Sequence, residues 1–415
     1  MTANPVPKRV YRRRRIAVFG GLAVTIGLVT SAGVYTGGAL GAEVPAAPPA
    51  IVQPETVAAE PQQLAVPDFG AFAVGAVGFD GLLSERDAAV PMAMASIAKV
   101  VTALVVLEAH PVDGEGGEPV IDYTEADVDV YWDMIAQNGS VAPVAAGSSL
   151  TLTESLEAML LPSGNNYAIS IANWAFGSEA AYVERAGAWL AEHGFEETTI
   201  ADASGLSLDN VATARELVRL GQLALEQPVL AAIVAKQSVD LPEIGVVENS
   251  NKLLGTHGVD GIKTGTTDDA ANLLFSADYA VGSQTVTVVG VLLGADSHPE
   301  LREAVAALLD TVSPGFHEVV ALEAGEVLAE YDTPWGETAR ARAADGASFV
   351  VWSDTPVEVA VHADEIALAS RGETVGTATI TAGSRTVDVP LVLDAALDDP
   401  GPWWRLTNPG GLDGD

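Results

Sequence analysis

Ser96 and Lys99 stand three residues apart in "MAMASIAKVVTALVVLEAH", residues 92–110, a segment otherwise apolar, small or β-branched. The chain has only five lysines, Lys8, Lys99, Lys236, Lys252 and Lys263, and one of them lies in this greasy run. On a helix, positions i and i+3 share a face, so the amine and the hydroxyl are neighbours. Burial disfavours the charged form of an amine and lowers its pKa. A neutral lysine accepts a proton, which is what a serine needs to become a nucleophile. At a helix N-terminus the Ser96 N–H also points where an oxyanion forms. Alone, S-x-x-K matches many chains by accident, and a lysine snorkelling from a helix start is the plainer reading.

Two further motifs change that balance. Ser163, Gly164 and Asn165 form S-G-N in "MLLPSGNNYA", and Lys263, Thr264 and Gly265 form K-T-G in "VDGIKTGTT". They follow Ser96 in that order, at intervals of 67 and 100 residues. A nucleophile with a base, a second serine with an amide, and a second lysine among hydroxyls make a set suited to acyl transfer. Arg302 is a further candidate cation for an anionic substrate.

With their flanks "MLLPSGNNYAISIANW", "LDNVATARELVRLGQLAL" and "VDGIKTGTTDDAANLLFSA", these motifs resemble the low-molecular-mass D-alanyl-D-alanine carboxypeptidases, serine peptidase family S11. The resemblance covers roughly residues 68–314. It implies a penicillin-recognising fold, α/β (α+β), with an antiparallel sheet flanked by helices and a mostly helical subdomain. It implies removal of the terminal D-alanine from peptidoglycan stem peptides, with β-lactams as covalent inhibitors and no cofactor. By motif match Ser96 is the nucleophile, Lys99 its base and Ser163 a proton relay. The same match implies that Asn165, Lys263, Thr264, Gly265, Thr266 and Thr267 bind substrate; Arg302, outside the motifs, is the candidate added to them. The proline that often precedes the serine in relatives is absent; Pro91 lies five residues ahead. A serine β-lactamase is the near alternative, but the E-x-x-L-N pattern is missing and only Glu196 and Glu197 offer a deacylating acid. A non-catalytic wall-binding or sensor protein of the same fold is the other.

The elements that must position these groups follow from periodicity. Residues 69–91 alternate apolar and small and predict two short strands around a glycine-rich turn. Residues 95–110 predict a helix apolar on all sides, hence buried, ended by a loop over 111–119. Residues 152–160 predict a helix with Thr153 as N-cap. Further helices are expected over "NNYAISIANWAFG", "AAYVERAGAWLAEHG", stopped by Gly194, and residues 213–225. Strands follow, including 285–295, then a helix over 300–312. Residues 315–396 alternate with period two and predict a small all-β domain of sandwich type. Residues 397–415 read as a polar tail with no amphipathic helix.

Charge and hydropathy place this body. Residues 1–15 hold six basic groups and no acid; the other 400 residues carry a net charge of −42. A body so acidic repels phosphate backbones, so nucleic acid is not an expected partner. The six histidines lack ligand spacing and there is no cysteine, so no metal site is expected. Residues 16–42 are 27 residues without a charge, enough to cross a bilayer, which needs about 20. With the arginines inside, residues 1–42 predict a basic tip and an anchor, or a signal cut near "ALGA", residues 39–42. Either way the body is extracytoplasmic. Residues 43–67, rich in Pro, Ala and Glu, read as an extended linker.

Overall fold

The structure, a computed structural model, describes residues 8–112 and 117–412, so part of the loop expected over 111–119 lies outside the described residues. The chain divides into two units. The larger comprises Ala59–Glu318 and Val350–Asp354, and holds all three motifs.

Its centre is a five-stranded antiparallel sheet. The strand order is Val259–Thr266, Ala271–Val281, Gln284–Ala295, Ala71–Ala76 and Ser84–Arg86. The middle strands are rich in Val, Leu and Ala because both faces are covered. Alternate residues serve different cores. Phe72, Val74, Phe275, Val288 and Leu292 pack with Leu301, Val305, Leu308 and Val312 of the helix His298–Val312. Ala71, Ala73, Leu274, Val289 and Val291 join the core on the helical side. A one-residue slip of any strand would exchange these two faces, so register is firmly set.

The expected helix over 95–110 forms as a short 3₁₀ turn, Ala95–Ile97, continued by the helix Ala98–Ala109. Every residue from Ala98 to Leu107 is buried, as an all-round apolar pattern requires. The helix Leu152–Leu160 is capped by Thr151, not Thr153. Only Thr151 has a glutamate three residues on, and Glu154 completes a capping box, with its N–H 3.2 Å from Thr151 Oγ1. Gly194, at φ +69°, follows the helix Glu179–Glu192. Two helices of this unit have no counterpart in the sequence reading: Glu125–Ala136, capped by Thr124 and Asp127, and Pro228–Val234.

The smaller unit comprises Met1–Ala58, Val319–Phe349 and Thr355–Asp415. Its main sheet is antiparallel and six-stranded, in the order Ala50–Ile51, Val327–Asp332, Thr338–Ala343, Arg385–Leu393, Thr374–Ala382, Val357–Ala363. Two elements correct the sequence reading. Residues 43–58 are not a free linker: Ala50 and Ile51 pair with Glu330 and Ala329, Ala47 bridges Ile366, and Val57 bridges Val357. Proline suits such an edge segment, where its missing N–H costs no ladder bond. The tail also contains a helix, Gly401–Thr407. The apolar N-terminal span forms a single helix, Lys8–Gly41.

Candidate active site

The Ser–Lys turn is held from three directions. Asn272 donates its amide to the Ala93 carbonyl at 3.0 Å and accepts the Gly294 N–H at 2.9 Å, tying two sheet strands to the segment before Ser96. Gly265 lets the K-T-G strand come close, since a Cβ there would lie 2.7 Å from the Met94 carbonyl oxygen. Gly205, at φ +79°, abuts the Ala95 carbonyl from the other side. Ala95 and Ser163 have φ of +52° and +65° without being glycine. Such conformations cost on the order of 1–3 kcal/mol and persist where surroundings over-determine them.

Lys99 is fully buried, with 0% exposure. Its Nζ lies 3.0 Å from Ser96 Oγ, 2.7 Å from Asn165 Oδ1 and 2.5 Å from the Ser204 carbonyl oxygen. The last two can only accept, so they take two amine hydrogens. In the neutral amine that leaves the lone pair for the Ser96 hydroxyl. Burial, reinforced by the Lys263 charge, holds the Lys99 pKa well below its ordinary value, with Asp202 opposing. Geometry and electrostatics therefore act in the same direction, toward the neutral form of Lys99.

Asp202 organises the loop that supplies the Ser204 carbonyl. Its carboxylate accepts from the N–H groups of Ser204, Gly205 and Ser207, the Ser204 hydroxyl and the Asn210 amide. Burial alone would raise the Asp202 carboxyl; these bonds outweigh it and hold it below the usual range.

Lys263 is the second buried amine, 1% exposed. Burial lowers its pKa to about 7. Its Nζ donates to the Thr264 carbonyl at 3.1 Å, and Thr264 Oγ1 lies 2.6 Å from Ser250 Oγ. Above these groups opens a cleft of about 660 Å³, lined by Ser96, Ser163, Asn165, Thr264, Thr266, Thr267 and Arg302 among others. The three motifs and Arg302 thus meet around one space. Glu196 and Glu197 are not among its lining residues; their N–H groups bond to Glu216.

The sequence reading missed His298. It lines the cleft, and its Nε2 lies 2.7 Å from Thr266 Oγ1. Burial, then Arg302 and Lys263, lower its pKa. Asp202, Ser204, Ser250 and Asn272 were missed as well. Only the run of small and Asx residues in "ADASGLSLDN" offered a signal, that of a side-chain-bonded turn.

The arrangement and the fold define a class, the penicillin-recognising serine enzymes with a Ser–Lys pair. In fold the chain is similar to the peptidoglycan synthesis regulatory factor PBP3 of Streptococcus pneumoniae, at a TM-score of 0.59 and 22% identity, covering 81% of this chain and 100% of that one. The chain belongs to the D-alanyl-D-alanine carboxypeptidase family, peptidase S11, whose family model matches residues 79–297. It is 29% identical over 206 residues to a D-alanyl-D-alanine endopeptidase of Pseudomonas aeruginosa, covering 46% of this chain and 61% of that one. It is 27% identical over 266 residues to the carboxypeptidase DacA of Escherichia coli K12, covering 63% and 64%. The chain thus spans less than two thirds of the length of these two relatives.

Proposed function

We propose that the protein is a serine D,D-carboxypeptidase that removes the terminal D-alanine from peptidoglycan stem pentapeptides and is acylated by β-lactams. The observation that carries this reading is the Lys99 amine, fully buried and 3.0 Å from Ser96 Oγ. Ser96 Oγ attacks the carbonyl between the two D-alanines while Lys99 takes its proton. The N–H groups of Ser96 and Thr266 receive the oxyanion. Ser163 passes a proton to the leaving amine, and the C–N bond breaks to leave an acyl-Ser96 ester. Water then hydrolyses that ester and restores the hydroxyl. Lys263, Thr264, Thr267 and Arg302 hold the substrate's terminal carboxylate, and Asn165 fixes Lys99. Gly265 brings the binding strand against the nucleophile turn.

The N-terminal helix supports an extracytoplasmic body attached to the membrane. Its span Arg9–Gly41 is long and apolar enough to cross a bilayer, and the wall peptides lie on the outer side.

The test uses the purified protein and a synthetic pentapeptide ending in D-Ala-D-Ala. Mass spectrometry should show loss of one alanine, and a fluorescent penicillin should label the chain covalently. Ser96→Ala should abolish both. D-alanine release unchanged in that variant would overturn the assignment. Rapid nitrocefin turnover without D-alanine release would establish a β-lactamase instead.

A further inference from the structure

Within the smaller unit the N-terminal helix meets the helix Gly401–Thr407. Tyr35 Oη, in the N-terminal helix, donates to the Leu406 carbonyl at 2.6 Å. Arg405 donates through Nη1 to the Ala42 carbonyl, one residue past the end of that helix. Arg405 is itself fixed by Asp399, with Nη2 2.5 Å from Oδ2. Trp404 meets Trp335 edge to face, ring centroids 5.8 Å apart. The Asp398 N–H and Trp335 Nε1 both donate to Glu337 Oε2, at 2.7 and 3.3 Å. The C-terminal segment therefore links the six-stranded sheet to the last turns of the apolar helix.

Helix length fixes where this contact falls. The helix Lys8–Gly41 has 34 residues, about 50 Å at about 1.5 Å per residue. The hydrocarbon core takes only about 30 Å, or about 20 residues. Counted outward from Arg15, the last basic residue of the cluster, that length ends near Tyr35. Tyrosine and tryptophan favour the headgroup layer. Tyr35 is exposed, and Trp403, on the short helix that Tyr35 bonds, is 78% exposed. Tyr35 thus stands near the expected depth, and from Tyr35 to Ala42 the helix is held by the C-terminal segment.

The gripped turns include residues 39–42, the small-residue run where a signal peptidase would cut. A protease holds its substrate extended, in the manner of an added strand. Here the helix runs through Gly41, Ala39 is 8% exposed, and the Ala42 carbonyl is bonded to Arg405. Cutting would require this segment to unwind and the contact to open.

We propose that the segment Asp399–Leu412 is a clasp at the outer membrane surface. It grips the exit of the N-terminal helix, keeps that helix uncut as a permanent anchor, and sets Trp403 in the lipid headgroup layer.

The test is made on the full chain produced in bacterial membranes. Intact mass should show residues before Ala39 retained in the mature protein. A mature chain beginning between residues 40 and 43 would overturn the proposal. Loosening the clasp with Tyr35→Phe and Arg405→Gln together should raise the cut fraction several-fold, with the thermal unfolding of the larger unit unchanged. If those substitutions and removal of residues 399–415 all leave the helix as uncut as before, the clasp is not what protects it, and the proposal falls. Trp403→Ala should reduce tryptophan quenching by brominated phosphatidylcholine vesicles in the reconstituted protein. Equal quenching with and without Trp403 would overturn its place in the lipid.

Discussion

Lys99 and Lys263 are the same residue in two regions of one site, and both are buried. Lys99 sits in the first helical turn after Ser96, with three oxygen partners that converge from three different segments. Lys263 sits in a strand and bonds to the oxygens of its own neighbour, Thr264. Burial lowers both, and Lys99 also feels the Lys263 charge, which lowers it in the same direction. The difference shows how one side-chain type yields two tools. In the proposed reaction Lys99 works as a neutral amine and accepts a proton. In that same reaction Lys263, lowered to about 7 by burial, supplies positive charge to a site within a very acidic chain.

The sharpest way to break this comparison is substitution by a fixed cation. Arginine stays charged in proteins, so it keeps a cation's role and forfeits a base's. Lys99→Arg should slow acylation by a β-lactam as much as Lys99→Met does, by roughly 10²–10⁴-fold, the usual worth of a general base. Lys263→Arg should retain clearly more activity than Lys263→Met. Stopped-flow acylation rates check this, with thermal unfolding to confirm each fold. If Lys99→Arg proved much better than Lys99→Met, Lys99 would be a cation and the contrast would collapse.

How much of this was readable in the chain follows from distance along it. The Ser96–Lys99 pair was legible because an i, i+3 relation is local and helical geometry supplies the contact. The other motifs were legible as types, and their meeting around one cleft depended on family resemblance. His298 was not legible: its meaning arises only where the helix His298–Val312 starts beside the K-T-G strand. Asn272 works through Ala93, 179 residues away, and a lone asparagine in a strand carries no signal of that. Residues 43–58 failed for a similar reason. Their composition suits a linker, and their edge pairing is set by a strand that begins at Val327. The tail hid a helix of seven residues, too short to show periodicity.

A second, smaller effect sharpens the contrast through pH. Acylation and carboxypeptidase turnover should both fall on the acid side as Lys99 is protonated. On the alkaline side Lys263 loses its charge above about pH 7 in the free protein. For substrates with a terminal carboxylate, kcat/KM should therefore fall again in that direction, giving a bell. A peptide whose terminal carboxylate is replaced by an amide should keep the acid limb and lose most of the alkaline one. Should the amide show the same alkaline limb, Lys263 would not be the group that reads the carboxylate.

The smallest expected effect is on stability, and its sign separates a charge kept for function from one kept for folding. The Lys263 pKa falls from 10.5 in the unfolded chain to about 7 in the fold. Between those values the unfolded state binds more protons, so this group's contribution to stability rises with pH across that window. Below about pH 7 the fold carries the full cost of a charged, buried amine. Lys263→Met removes that cost and fills the space with an apolar chain of similar length. The variant should melt higher than the native protein, by several degrees below pH 7, with the gap shrinking steadily toward pH 10. Calorimetry of the two proteins across that range measures the gap directly, and the common background of the many carboxylates cancels in the difference. A gap independent of pH would mean that Lys263 is charged throughout, held so by a partner stronger than the Thr264 oxygens.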